Sequence, residues 1–443
     1  MFQNNLLMGA ASISSDAAYT VDYSCRFDKS TPAYLSYTPG SAGDRRQITV
    51  SYWQKRCDIG GQQVAFQSGS VYWQFGNSSV EKFQINTDGS GEMLSPRLFR
   101  DPNAWYHFVI SFDTEQDVPS NRIRVWVNGI PITDWSTLTA PTKDTDLSIT
   151  NTVAQVWGVY GTSTYPMDGY LSQVCMIDGL ALGPTSFGEF SNNVWRPIDI
   201  TGLTFGTTGY LLDFADSSAL GNDVSGNDND FSTSGLDSGD QTSDTPTNNH
   251  MNFASLARGG DADHIATVSN GGLTTTKSTD KHAGPVTGTA IGGSGKWYCE
   301  GKVTNVTGAK IGICTTTSDW LWDTIENTLG YYSTAWSLAI SDGNKWNNNT
   351  STSYGSAVSA DDVVQMAIDL DNGKIWWGVN GTFIASGDPA AGSNEAFSNL
   401  TTTDDYFIAA SIQNGGAIEW NFGQLSFAHT PPTGFKAINT NNI

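Results

Sequence analysis

The sequence is poor in charge, and poorest in positive charge. Only 15% of its 443 residues are Asp, Glu, Lys or Arg, and 22 Lys and Arg stand against 44 Asp and Glu, for a net charge of −22 at pH 7. Binding DNA or RNA through phosphates needs clustered basic side chains, and attraction to an anionic membrane surface needs the same, so neither class fits. The basic pairs Arg45-Arg46 and Lys55-Arg56 flank an expected strand and read as a solvated rim. No apolar run reaches the ~20 residues of a membrane-spanning helix, so no membrane insertion is expected. A sustained 3.6-residue apolar stripe is missing as well, which argues against long amphipathic helices. Cysteine is scarce and odd in number. Cys25, Cys57, Cys175, Cys299 and Cys314 are spaced too irregularly for a disulfide framework or a paired Cys-x-x-Cys zinc site. Cys299 shares strand parity with Trp297 and reads as a small core residue. The first fifteen residues hold a short apolar run with no basic residue before it, unlike a secretory signal, so synthesis in a cytoplasm is expected.

What is abundant is aromatic and turn-forming. Aromatics make up 12% of the chain, and 47 glycines accompany many Asn, Thr and Ser residues, the composition of a β-protein rich in turns. The clearest stretch is Val363 to Phe383. Met366, Ile368 and Leu370 alternate with polar positions, Asn372-Gly373 offers a tight hairpin, and a return strand through Trp376 and Trp377 breaks at Asn380-Gly381. The same grammar occurs earlier: an alternating strand from Trp105 to Asp113 is followed by Arg122 to Val127 and a second Val-Asn-Gly turn at Asn128-Gly129. Two domains of one sheet-on-sheet type explain the repetition. The fold class is therefore all-β, with two antiparallel β-sandwich, jelly-roll-like domains in tandem.

Taken in order, residues 1–20 form an N-terminal arm, 21–236 the first sandwich, 237–260 a linker and 261–443 the second sandwich. Short strands recur about every ten residues in the first sandwich, and Tyr210–Phe214 is expected to return beside the first strand and close it. Residues 237–249 are Ser, Gly, Asp and Thr-rich, as linkers are.

Several motifs in this order resemble known families. Tyr23 to Asp28, Ile48 to Lys55, Trp105 to Val109, Val125 to Gly129 and Asp168 to Ser172 resemble the laminin-G-like, concanavalin A-like jelly roll, in the version found in tail-fibre and virion-surface proteins of marine bacteriophages. Gly295 to Lys302, Ile311 to Cys314, Asp369 to Asp371, Val379 to Gly381, Asn421 to Gln424 and Pro432 to Phe435 are similar to a SPRY domain. That second resemblance implies a binding module whose loops contact partners.

Catalytic patterns are weak. Glycosidases of this frame need two carboxylates about 5–10 Å apart. The Glu residues are isolated, and Asp369-Leu-Asp371 lies beside a turn that wants Asp locally. None of the five histidines falls in a Gly-x-Ser-x-Gly or His-Glu-x-x-His setting, and His107 reads as a packed strand residue. No enzyme is expected. The densest run of oxygen ligands includes Asp213, Asp216, Asp223 and Asp228, a candidate Ca²⁺ loop, with turn formation as the plainer reading. Trp320, Trp322, Trp346 and Asn347 are the candidate ligand contacts, because flat rings beside amides suit sugar or protein recognition. These readings converge on a non-enzymatic virion surface protein, a phage tail fibre or adhesin. Its expected partners are a host cell-surface glycan or envelope protein, other virion proteins and further copies of itself. A capsid or tail decoration protein and a secreted glycan-active enzyme are the alternatives.

Overall fold

A computed structural model describes residues 19–76, 81–88, 91–254, 264–322 and 327–442. Most of the expected arm at 1–20 and the stretch 255–260 lie outside the described residues. The chain is nearly all β, and its few helical turns among the described residues are three or four residues of 3-10 type. It divides into two compact units, one ending at Asn249 and the other beginning at His250.

The first unit packs two antiparallel sheets face to face. One carries Trp105–Asp113, Gln47–Arg56 and Gly169–Asp178 at its centre; the other runs through Gly91–Leu98, Lys82–Thr87, Val71–Phe75 and Gln63–Ser68. Alternation in Gln47–Arg56 sends Val50 and Tyr52 inward, where Tyr52 meets Trp73 at 6.1 Å and Trp157 at 5.1 Å between ring centroids. Ser51 and Trp53 go to the opposite face, which is covered too. Phe187, Ile200 and Phe205 lie over Val109 and Ile177 there, so these strands are buried along almost their whole length, polar residues included. The hairpin Gly188–Ser191 and Val194–Pro197 adds Trp195, whose ring lies over Gly129. Asn128 and Gly129 have φ of 49° and 75°, the turn that the Val-Asn-Gly motif calls for; a Cβ at Gly129 would stand 2.4 Å from the Trp195 ring.

Three expectations need correcting here. Tyr210–Leu212 does not sit beside the first strand but pairs with Gly169–Asp178, matching Leu212 to Val174. The strand that flanks Ser24–Phe27 is Gln241–Thr242, inside the stretch expected to be a linker. That stretch is anchored rather than loose. Asp237 and Asp240 form a capping box, and Asp244 is buried against Lys55, with Oδ2 at 2.7 Å from Lys55 Nζ and Oδ1 accepting from Trp105 Nε1 at 3.0 Å. Lys55 also donates to Asn249 Oδ1 at 2.8 Å. Lys55-Arg56 is consequently no solvated rim: Arg56 donates to Glu81 at 2.9 Å and to the Phe99 carbonyl at 2.7 Å, beneath the Phe75 ring. Arg46, by contrast, is partly exposed at the surface, within reach of Glu115, Asp144 and Asp146.

The second unit is also a two-sheet sandwich. One sheet runs Tyr406–Ser411, Lys310–Thr315, Ala335–Ala339, Lys345–Asn347, Thr350–Thr352; the other centres on Gly416–Asn421, Lys296–Asn305, Val363–Asp369 and Lys374–Val379. Trp297, Cys299, Met366, Ile368, Ile375 and Trp377 fill the core from the second sheet, as their alternation requires. Lys436–Ala437 departs from the antiparallel pattern and pairs parallel to Lys296–Asn305. The expected two-residue hairpin at Asn372-Gly373 is a four-residue loop, since Asp369 pairs with Lys374; Asp369 then caps Asn372 through both its N–H and its side-chain amide. All five cysteines are buried, and none is joined to another in a disulfide.

Candidate functional site

The expected ligand contacts do not form one surface. Trp320 is wholly buried against Cys314, Leu329, Ala335 and Ala409, and its Nε1 donates to the Asn327 carbonyl at 3.1 Å. The side chain of Trp322 lies outside the described residues. Trp346 and Asn347 are neighbours on the strand Lys345–Asn347 and so project to opposite faces. Trp346 turns to the face where Lys310 sits, with the ammonium 3.7 Å from the centre of its ring. Burial pushes the Lys310 ammonium down to about 8, Asp342 opposing this in part, while Thr328 accepts from it at 2.7 Å.

Asn347 faces an open cleft of about 430 Å³, lined by Asn347, Asn348, Thr350, Thr352, Ala396, Phe397, Ser398 and Asn399. One wall is the hairpin of Lys345–Asn347 and Thr350–Thr352, at the edge of its sheet. Its turn residues, Asn348 and Asn349, both have φ of 53°, a conformation Asn tolerates better than most side chains. The opposite wall, residues 396–399, is tied down from several sides. Ala396 N–H donates to the Ile375 carbonyl at 2.9 Å, the Lys345 ammonium donates to the Ala396 carbonyl, and Trp336 Nε1 donates to Asn399 Oδ1 at 3.0 Å. Lys345 lies over the Tyr354 and Phe397 rings, and burial lowers the pKa of its ammonium. Among the described residues, no ionisable side chain lines the cleft itself. The signal in the sequence for the far wall is faint, since Phe397 to Asn399 reads as an ordinary loop.

A second cleft of about 430 Å³ lies between Gly381 and Phe383 on one side and His429 to Pro432 on the other. Glu300 supports its rim from within. The buried carboxylate accepts from Tyr298 Oη and His429 N–H through Oε1, and from Ala428 N–H through Oε2. Burial first and Glu300 second push the Tyr298 hydroxyl far above its usual range, so it remains a donor.

Three of the four acidic residues of the candidate Ca²⁺ loop, Asp213, Asp216 and Asp223, accept hydrogen bonds from backbone N–H groups. Asp223 accepts four hydrogen bonds, from the N–H groups of Leu211, Ser225 and Asn229 and from the Ser225 hydroxyl, at 2.8 to 3.0 Å. Asp216 caps Ser218 and Asp213 caps Ala215, while Asp228 stands in the left-handed region with φ of 57°. Among the described residues no three His, Cys, Asp or Glu side chains gather as a metal site would require. The bonds of Asp213, Asp216 and Asp223 are of the kind that turn formation uses.

His107 lies beside a buried hydroxyl, and its geometry is wrong for a base. Its ring stacks on Trp53 at a centroid distance of 4.5 Å and lies beside Trp195 at 5.9 Å. Trp195 Nε1 donates to Nδ1 at 2.8 Å, so the ring proton sits on Nε2, which donates to Ser51 Oγ at 2.8 Å. A nitrogen that donates to a hydroxyl cannot take its proton. Burial lowers the His107 pKa to about 3, against about 6.5 for an unfolded histidine. The unfolded chain therefore binds a proton that the folded chain refuses, and stability should fall as pH drops below 6.5, by about 1.4 kcal/mol per pH unit towards 3. Denaturant titrations between pH 7 and 5 should show this slope, and His107→Phe should flatten it; an unchanged slope would assign the acid sensitivity to other groups.

With this geometry in place, two family models match the chain. The first, the Concanavalin A-like lectin/glucanases superfamily, covers residues 29–182, and the SPRY domain model covers 296–425. A laminin-G-like domain is followed by a SPRY domain. Solved structures resemble parts of the chain. The SPRY domain of human HERC1 is 16% identical, covering 36% of this chain and 94% of its own, with a TM-score of 0.29. A candidate carbohydrate binding protein from Bacteroides ovatus ATCC 8483 is 12% identical over 49% of this chain and 59% of its own, with a TM-score of 0.37. The heptameric SAP-like pentraxin of Limulus polyphemus is 16% identical over 38% and 80%, with a TM-score of 0.30. The cleft at Asn347 lies within the SPRY match, and the buried His107 within the laminin-G-like match. Both domains are of binding type.

Proposed function

We propose that the chain is a non-enzymatic attachment protein on the surface of a bacterial virus particle, a tail fibre or adhesin that binds a host glycan through the cleft at Asn347. The observation that carries this reading is the lining of that cleft, which among the described residues is made of amides, hydroxyls, an alanine and one aromatic ring without an ionisable group. Such a lining pairs hydroxyl groups and covers apolar ring faces, the two surfaces that a neutral sugar offers. A chain of net charge −22 approaching an acidic bacterial envelope gains nothing from ion pairs, so hydrogen bonds and stacking have to supply the contact. Many copies on one particle would turn a modest single-site affinity into firm attachment.

Thr350 is exposed on the cleft wall, and Thr350→Trp should fill the cleft while leaving the melting temperature nearly unchanged. Cell adsorption by the labelled full chain should then drop by an order of magnitude or more, since a blocked pocket loses its central contacts. Normal adsorption by a stable Thr350→Trp chain would move recognition elsewhere and favour a decoration role. Antibody labelling of purified particles tests the virion assignment independently.

A further inference from the structure

Two amides in the cleft are each locked in a single orientation. Asn399 places one side-chain atom 3.0 Å from Trp336 Nε1, and an indole N–H can only donate. The facing atom is therefore Oδ1, and Nδ2 points the other way. Asn347 places one atom 3.0 Å from the Ser333 carbonyl and 2.9 Å from the Ala335 carbonyl, both pure acceptors. That atom is Nδ2 with both hydrogens spent, so Oδ1 is the end left over. Asn399 Nδ2 stands 3.4 Å from Asn347 Oδ1, a long contact that uses at most one of its two hydrogens. Trp336 is held in the core at 2% exposure and fixes the first amide; backbone fixes the second. The result is one N–H and one carbonyl oxygen with spare capacity, side by side and rigid.

We propose that Asn347 Oδ1 and Asn399 Nδ2 form a subsite for two adjacent hydroxyls of a neutral sugar ring. One hydroxyl donates to Asn347 Oδ1 and its neighbour accepts from Asn399 Nδ2, with Phe397 supplying apolar surface beside them. This deepens the attachment reading and rests on it. A hydroxyl is both donor and acceptor, so neighbouring hydroxyls can satisfy the pair at once. A backbone peptide sends its N–H and C=O to opposite sides and can meet only one of the two. A carboxylate offers acceptors alone and would face Asn347 Oδ1 with like partial charge, so uronic acids are disfavoured. Preorganised groups lose little side-chain freedom on binding, which suits a shallow site of this kind.

The test uses the full chain and methyl pyranosides of mannose, galactose and glucose, with their monodeoxy derivatives, followed by ligand-observed saturation transfer. Saturation should concentrate on two adjacent ring positions, and removing either hydroxyl should weaken binding about tenfold. Asn399→Asp keeps the acceptor for Trp336 Nε1 and replaces the N–H group by a charged carboxylate oxygen, and it should weaken sugar binding by at least a similar factor with the second unit still folded. The deoxy series needs no variant, so it decides the matter even if Asn399→Asp fails to fold. Deoxy sugars that bind as well as their parents would overturn the subsite while leaving glycan attachment intact. If no pyranoside binds and an asparagine-containing peptide saturates the cleft instead, the subsite and the glycan reading both fall.

Discussion

Replacing Asp244 by Ala is expected to destabilise the first unit by about 3–5 kcal/mol, the usual cost of removing one partner from a buried ion pair. The side chains of Lys55 and Asp244 are 0% and 1% exposed, so the lysine ammonium would lose its counter-charge in a place water does not reach. The loss would not stop at the pair. Asp244 Oδ1 also takes the Trp105 indole hydrogen, and the Asp244 carbonyl takes the Ser24 hydroxyl, so one residue ties three strands to the segment that follows them. For a unit of this size the melting transition should fall by on the order of 10 °C, read by scanning calorimetry of the full chain. Ending the first unit at 236 should be worse still, since it deletes both Asp244 and the strand Gln241–Thr242. An Asp244→Ala chain that melts normally would mean that 237–249 is a tether after all. A Lys55→Met, Asp244→Leu double variant should recover much of the loss, because two apolar groups can replace a buried pair at little cost.

The second large effect falls on Trp320. Trp320→Ala should cost the second unit about 3–5 kcal/mol through the cavity it leaves among Cys314, Leu329, Ala335 and Ala409. Measured well below its lowered melting temperature, cell adsorption should stay normal, because the side chain is 0% exposed and cannot touch a ligand. This separates core from site: Thr350→Trp should impair adsorption without moving the melting curve, and Trp320→Ala should do the reverse. Lost adsorption with an unmoved melting curve would restore Trp320 as a contact.

The architecture is legible in the sequence wherever a strand is long enough to show its alternation. Val363–Asp369, Trp105–Asp113 and the two Val-Asn-Gly turns state their own structure, because period-two burial and positive φ at Asn-Gly are local demands. What closes the first sandwich is not local. Gln241–Thr242 is two residues long, and the same Asp, Ser and Thr composition describes a solvated tether and a buried carboxylate; only the distant Lys55 decides between them. The cleft shows the same limit. Asn347 is singled out by its aromatic and amide neighbourhood, yet Trp346 beside it points away, and Asn399 comes within reach only through the packing of Trp336. Aromatic density marks cores as readily as sites, which is why Trp320 misleads.

The five buried thiols turn the molecule into its own stopwatch. Burial raises the Cys25, Cys175 and Cys299 thiols well above their ordinary range, so the reactive thiolate is suppressed until the surrounding sheets part. Cys25, Cys57 and Cys175 lie in the first unit, Cys299 and Cys314 in the second. An alkylating reagent therefore times the opening of each unit separately, and peptide mapping of the label tells which sandwich loosens first under heat, acid or storage.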